Sequence, residues 1–272
     1  MVGRTTSTTG AARGSRRRRA TGGRAWILMT CLILLAGLAS SGIKPPPARA
    51  VGEGGFGAEM NLSDVAGRSV RPMVATAGHN VYVVWQDALA RGDGSQNFPH
   101  ILLRRSTDQG VSFEPPLQLD LGTGASLFPF ITAVDSYVYV VWGNSPIQGN
   151  FIKNEWDAYF SYSDNGGASF SPPENLSNTK GAVHSPLVVA SGANVYVAWG
   201  DHRRDASCDP PKACNDLLLR ASDDYGRVFG STVKLNRENL AEDYGAVDIT
   251  ASGNDAYVVW REWIPEGGTS ST

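Results

Sequence analysis

An eight-residue turn signature, S-x-D-x-G-x-x-F or a close variant, occurs three times in this chain, each time at nearly the same distance from a strand ending in tryptophan. The copies are Ser106-Thr107-Asp108-Gln109-Gly110-Val111-Ser112-Phe113, then residues 163–170 with Ser163, Asn165, Gly167 and Phe170, then residues 222–229 with Ser222, Asp224, Gly226 and Phe229. The strand reads Val81-Tyr82-Val83-Val84-Trp85 and returns at 138–142, 195–199 and 256–260. Successive tryptophans lie 57, 57 and 61 residues apart, and each of the first three precedes its phenylalanine by 28, 28 and 30. A constant offset between two motifs means that the whole unit repeats. Units of this length cannot bury a core alone, so they must stack on copies of themselves.

Each unit reads as four short strands. In the first they are 70–77 (interrupted by Pro72), 81–85, 100–105 and 113–119, separated by turn residues, and no helical period of useful length follows residue 51. The unit boundaries fall near 64–120, 121–177, 178–236 and 237–272, and the fourth unit shows only its first two strands. Residues 56–63 match the fourth-strand text at 170–177, so they read as a displaced outer strand that completes the last unit. The architecture expected is all-β.

The turn signature resembles the Asp-box of the sialidase-like, or BNR-repeat, β-propellers, and the resemblance covers residues 56–260. It implies three complete four-stranded blades of about 57 residues plus a partial fourth, or a truncated six-bladed ring. It implies much less about activity, because the fold hosts glycosidases, lectin-like modules and inactive proteins. In the family the boxes lie opposite the binding face, so Asp108, Asn165 and Asp224 are expected to be structural. The carboxylate or amide accepts backbone N–H groups within its own turn, and glycine supplies the backbone shape.

The first fifty residues differ from the rest. They carry nine basic residues and no acid, an apolar stretch over 26–39 and a small-x-small pattern at Ala48 and Ala50. This reads as a cleavable export signal, with a retained anchor over 26–43 as the alternative. Ser15-Arg16-Arg17 also fits a twin-arginine route. Removing the leader leaves fifteen basic residues against twenty-six acidic ones, a net charge of −11. Such a surface does not bind phosphate backbones by counterion release, so nucleic acid is not an expected partner. The location expected is secreted or extracytoplasmic, with membrane contact only through an uncleaved leader. Cys208 and Cys214 share one loop and read as a local disulfide. No metal or other cofactor is called for.

Binding residues are expected in the loops after the strand tryptophans. The candidates are Asp87 and Asp93, then Glu155, Trp156 and Asp157, then Asp201, His202, Arg203 and Arg204, and finally Arg261 and Glu262. Asp87, Asn144, Asp201 and Glu262 each stand two residues after a tryptophan, a recurrence that favours a role in bracing the hairpin. The strand tryptophans themselves read as core, whereas Trp156 and Trp263 fall outside the repeated strand and are candidate surface platforms. A sialidase resemblance implies an arginine triad on a substrate carboxylate and a Tyr–Glu nucleophile. Arg71 beside Pro72, Tyr244 near Glu242, and Arg261 are the nearest matches, without the full motif around Arg71. The functional expectation is an exported binding module for a glycan or another extracellular macromolecule, without chemistry. A sialidase-like glycoside hydrolase and a protein-interaction scaffold are the alternatives, and self-association through an open blade edge is a further expectation.

Overall fold

The computed structural model describes residues 2–6, 57–64, 67–89, 98–122, 124–145, 156–178, 181–203, 214–236 and 248–260, with backbone alone at 2–6, 67, 88, 89, 203 and 214. Two units are distinguished, Thr8–Asn61 and the remainder, Met1–Ser7 with Leu62–Thr272. Every regular element among the described residues is a β-strand. They begin with β1 (Val2–Thr6). One sheet follows as β2 (Gly67–Ala77), β3 (Asn80–Leu89), β4 (His100–Ser106) and β5 (Leu117–Gln118). The next is β6 (Ala125–Val134), β7 (Tyr137–Ser145), β8 (Asp157–Ser163) and β9 (Glu174–Asn175). The third is β10 (Ala182–Ser191), β11 (Asn194–Arg203), β12 (Cys214–Ser222) and β13 (Val233–Lys234).

Within each sheet the strands pair antiparallel in chain order. The first strands β2, β6 and β10 pack side by side in sequence, and β10 packs on β14 (Asp248–Ser252). Meandering sheets stacked face to face around their first strands make a β-propeller arrangement, as the repeat demands. Only two residues of each fourth strand form ladder bonds, fewer than the text at 113–119 suggests. Pro115 and Pro116 lack donors there, and residues 113–116 run beside β4 without strand pairing.

The fourth sheet differs from its expectation. It contains β14, β15 (Asp255–Val259) and, on the outer side of β15, β1. Residues 57–64 form no strand, so the displaced-strand reading of 56–63 does not describe this structure over the residues seen. Any extended segment can satisfy the open N–H and C=O groups of an edge, and β1 does so from Val2 opposite Val259 to Thr6 opposite Asp255.

The blades bury one another through a repeated contact. Tyr82, Val84, Ile101 and Leu103 of the first meet Ile131, Val138, Val140 and Trp142 of the second. The same pattern joins Tyr139, Val141 and Phe160 to Val188, Val195, Val197 and Trp199, and then Tyr196, Ala198 and Leu219 to Ile249, Ala256 and Val258. Trp85, Trp142 and Trp199 are buried in the core, and Trp260 is half-buried against it. Replacing one such aromatic by alanine would cost about 3–5 kcal/mol.

The box turns explain their own sequence. In all three the serine hydroxyl accepts the glycine N–H, at 2.8, 2.8 and 3.0 Å for Gly110, Gly167 and Gly226. It also donates to Asp108, Asn165 or Asp224 at 2.7, 2.8 and 2.6 Å. The Oδ1 of Asp108, Asn165 or Asp224 that accepts this bond also accepts the N–H of Ser112, Ser169 or Val228, four residues on. The glycines have φ of 81, 80 and 79°, where other residues are strained. Hydrogen bonds from Ser112 hold the Asp108 carboxyl down at about 2. The box face is therefore a set of closed turns. Each lies beside the first hairpin turn of its own blade, as in Gly166 N donating to Ser136 O at 2.7 Å and Tyr225 N to Ala193 O at 2.8 Å.

Candidate functional site

The opposite ends of the strands, where the loops after the tryptophans begin, hold the candidate binding residues. On each inner strand the ladder slips between Val70 and Met73, Leu127 and Phe130, and His184 and Leu187. A proline sits at each slip, and the residue before it has positive φ: Arg71 at 55°, Phe128 at 57° and Ser185 at 44°. A residue preceding proline is already restricted, and a bulky side chain at positive φ is an outlier. The repeat thus places Arg71, Phe128 and Ser185 at one strained position in three successive blades. The Arg71 guanidinium stands 4.4 Å from the Phe128 ring centroid, a cation–π contact between blades. Arg71 and Ser185 are exposed and Phe128 is half-buried.

Beneath this series lies a layer of buried polar groups. Asp87 is fully buried, and its Oδ2 accepts from Trp85 Nε1 at 2.9 Å and from Ser69 Oγ at 2.7 Å. In the second blade Asn144 and Ser126 take the corresponding places, with Ser126 Oγ 2.9 Å from both Asn144 Oδ1 and Asp120 Oδ2. His100 Nδ1 lies 2.9 Å from Asp120, joining the first blade to the second. Burial raises the Asp120 carboxyl, but the bond and charge of His100, Ser126 and the Ile101 N–H outweigh it and leave it lowered. In the third blade His202 lies against Asn215, and Lys234 Nζ donates to Asp216 at 2.6 Å. His184 and His202 meet edge to face at 6.4 Å, and burial followed by the His202 charge lowers the His184 imidazole.

Several sequence expectations change here. Asp87, Asp201 and His202 are buried, not displayed on loops. The recurrence two residues after tryptophan is a bracing position, as Asp87 and Asn144 show by bonding back to the inner strand. Trp156 is no surface platform: it is buried in the core between the second and third blades and bridges Ala182. An isolated bridge turns its ring inward where a loop residue would have faced water. Asp157 is half-buried and accepts from Ser177 Oγ at 2.7 Å. Arg203 and Cys214 pair at the ends of β11 and β12. Asp93, Glu155, Arg204, Cys208, Glu242, Tyr244, Arg261, Glu262 and Trp263 lie outside the described residues.

Sequence reading missed Ser69, Ser126, Asp120 and Asn236. The last two share with Ser177 one place after the fourth strand, where each accepts the N–H of a residue near the start of the third strand: Ile101, Ala158 or Leu217. Aligning the units shows a small polar residue at that place each time, which is the signal that could have found it. Among the described residues no group of three or more His, Cys, Asp or Glu is placed to hold a metal ion.

No protein-family model matches the chain, and no curated protein matches it. Solved structures do. A family 117 glycoside hydrolase from Zobellia galactanivorans aligns with a TM-score of 0.45 and 13% identity, over 70% of this chain and 62% of its own. The catalytic domain of a Coprinopsis cinerea GH62 α-L-arabinofuranosidase aligns with a TM-score of 0.40 and 14% identity, over 71% and 58%. Trypanosoma rangeli sialidase with 2,3-difluorosialic acid aligns with a TM-score of 0.45 and 11% identity, over 71% and 34%. The chain therefore spans less than two thirds of each.

Proposed function

We propose that this chain is a binding module that takes a glycan on its loop face without chemically altering it. Arg71, Phe128 and Ser185 form the contact patch. The observation that carries this is the repeated bulge. Three side chains of unlike chemistry occupy one strained inner-strand position, and two of them already stack in an arrangement that offers an aromatic edge beside a charged hydrogen-bond fork. A planar guanidinium suits sugar hydroxyls or a carboxylate.

Among the described residues, three acids near this end of the strands are engaged within the fold. Asp87, Asp120 and Asp216 are buried and engaged with Trp85 and Ser69, with His100, and with Lys234. Glycoside hydrolysis by a carboxyl pair needs acids that reach the scissile bond.

The test combines a glycan-binding screen of the intact protein with a turnover assay on chromogenic glycosides. Binding should fall about tenfold in Arg71→Ala, the loss of roughly 1.4 kcal/mol, with no glycoside cleaved by either protein. Cleavage that disappears with Arg71 would replace this reading by the hydrolase. Binding to no glycan, with capture of an extracellular protein instead, would replace it by the scaffold.

A further inference from the structure

At the box face, the first residue of each second strand meets the fourth residue of the next blade's box. Between the first two blades these are Asn80 and Gly166, where a Cβ on the glycine would stand 3.4 Å from Asn80 Nδ2. Asn80 Nδ2 donates to Tyr82 Oη at 3.0 Å, and that hydroxyl donates to Gly166 O at 3.1 Å, so hydrogen bonds close the seam. Between the second and third blades the same places hold Tyr137 and Tyr225. Their rings stack at 4.5 Å with 15° between the planes. Arg227 stands beside them where the other boxes have Val111 and Ala168, and it pairs with Asp164 of the second box at 3.5 Å.

This exchange works against the fold in two ways. With no asparagine at 137, Tyr139 Oη is buried without a hydrogen-bond partner, whereas Tyr82 Oη and Tyr196 Oη each reach a carbonyl of the next blade, at 3.1 and 2.8 Å. A buried hydroxyl left unpaired is destabilising. Tyr225 also holds a φ of 64°, a shape that glycine adopts freely at Gly166 and that makes a bulky residue an outlier. Local strain of this kind gathers at functional sites.

What the seam gains is a surface. Tyr225 remains 36% exposed although Tyr137 covers one face of its ring. The Arg227 guanidinium lies 5.7 Å from the Tyr225 centroid and 5.8 Å from that of Tyr137, and near-equal distances place it beside the stack, off the outer face of Tyr225. Its Nη2 donates to Tyr137 Oη at 3.4 Å, and both members of the pair with Asp164 are exposed. Arg227 already fills the cation's place beside the rings and Asp164 balances its charge, so neither a cation nor an anion is favoured there. A ligand of neutral hydroxyls uses every part: the guanidinium donates, the carboxylate accepts, and the negative ring face attracts polarised C–H groups.

We infer that Tyr225, Arg227 and Asp164 bind a neutral sugar ring at the box face, with Tyr137 holding the platform from behind. This site lies at the other end of the strands from Arg71 and does not rest on the loop-face reading. Where both operate, one chain bridges two glycans.

The experiment is an array of neutral, uronic and sialylated oligosaccharides, read with the full chain as wild type, Tyr225→Gly, Asp164→Thr and Arg71→Ala. Glycine and threonine stand at those two places in other boxes, as Gly166 and Thr107, so both box variants suit the turn. Tyr225→Gly should weaken binding to a set of neutral oligosaccharides about tenfold. Asp164→Thr should weaken the same set, and Arg71→Ala should retain it. Denaturation midpoints check the fold, and if Tyr225→Gly lowers its midpoint, Asp164→Thr at its exposed position decides. Four results would overturn the inference: no neutral oligosaccharide bound by wild type, wild-type binding in both box variants, loss confined to acidic oligosaccharides, or loss of the neutral set in Arg71→Ala as well. The loop-face reading fails separately, when Arg71→Ala binds every oligosaccharide as wild type does.

Discussion

The two ends of the strands obey different rules. At the box end the same atoms repeat the same bonds three times, and Asn165 replaces aspartate without altering the turn, its Nδ2 donating to Ser169 Oγ at 2.8 Å. At the loop end one position carries Arg71, Phe128 and Ser185, and the brace beneath it is Ser69 with Asp87 in one blade and Ser126 with Asn144 in the next. Even the tryptophans diverge. Trp85 Nε1 donates to Asp87, whereas Trp142 Nε1 and Trp199 Nε1 are buried without a hydrogen-bond partner. A box closes within eight residues, so a copy can change only where the new side chain keeps the accepting oxygen, as Asn165 does. A loop-end brace joins residues 18 apart on two strands, so its members can change together while the sheet persists.

The largest expected effect sets a glycine at each end against the other. Gly167→Ala places a methyl 2.7 Å from Tyr82 Cε1 at a φ of 80°, against a tyrosine that is itself buried. Strain and overpacking together should cost about 3 kcal/mol. At the loop end Gly200→Ala meets only ordinary contacts, His184 O at 3.8 Å and its Cβ at 3.9 Å, and should change stability by less than about 0.5 kcal/mol. Chemical denaturation of both variants checks the pair. Equal losses would mean that the two ends are equally constrained.

Next in size is the buried brace. Asp87→Ala strands the Trp85 N–H and the Ser69 hydroxyl in the interior, and should cost about 2–3 kcal/mol. The unpartnered Trp142 and Trp199 show that a blade can form without this bond. If Asp87→Ala unfolds at the wild-type denaturant concentration, the Asp–Trp pair is dispensable and the braces are incidental to the fold.

A smaller effect separates the boxes from one another. Asp108 is held at about 2, below its ordinary 3.8, first by the Ser112 hydroxyl and N–H. A carboxyl depressed in the folded state stabilises the fold above its unfolded value and loses that contribution as pH falls through the folded one. The acid-labile window for this box is therefore from about pH 4 down to about pH 2. Asp108→Asn should keep the turn, as Asn165 does, and flatten part of the fall in thermal midpoint across that window. A midpoint that falls as steeply as wild type would show that other carboxyls govern acid unfolding.

What was legible in the chain follows the same divide. The repeat, the boxes and the core tryptophans rest on local text and were read residue by residue. The braces were half-legible: the recurrence of Asp87 and Asn144 was visible, but Ser69, Ser126 and Asp120 reach them from another strand or another blade. Trp156 misled because its burial depends on a single bridge to Ala182 across a blade boundary, which no spacing encodes. The edge strand misled for a related reason, since pairing along an open edge is set by backbone groups that every residue shares.

The smallest change in stability tests the loop end most sharply. Arg71 holds a φ of 55° that glycine adopts freely. Arg71→Gly releases that strain but gives up the stack on Phe128 and adds backbone entropy to the unfolded chain. The strain released, about 1–3 kcal/mol, opposes the other two terms, about 1–2 kcal/mol together, so the denaturation midpoint should move little. Glycan binding should fall as in Arg71→Ala, because the guanidinium is gone in both. Phe128→Gly separates the parts further: it also relaxes a positive φ but leaves the guanidinium without its aromatic support. If Arg71 acts by charge alone, Phe128→Gly retains binding. If the stacked pair is the recognition element, both variants lose it while the fold stays put. Loss of stability in Arg71→Gly alone would mean that the arginine serves the inner strand, and that the unlike residues at this position are structural variation with no ligand behind them.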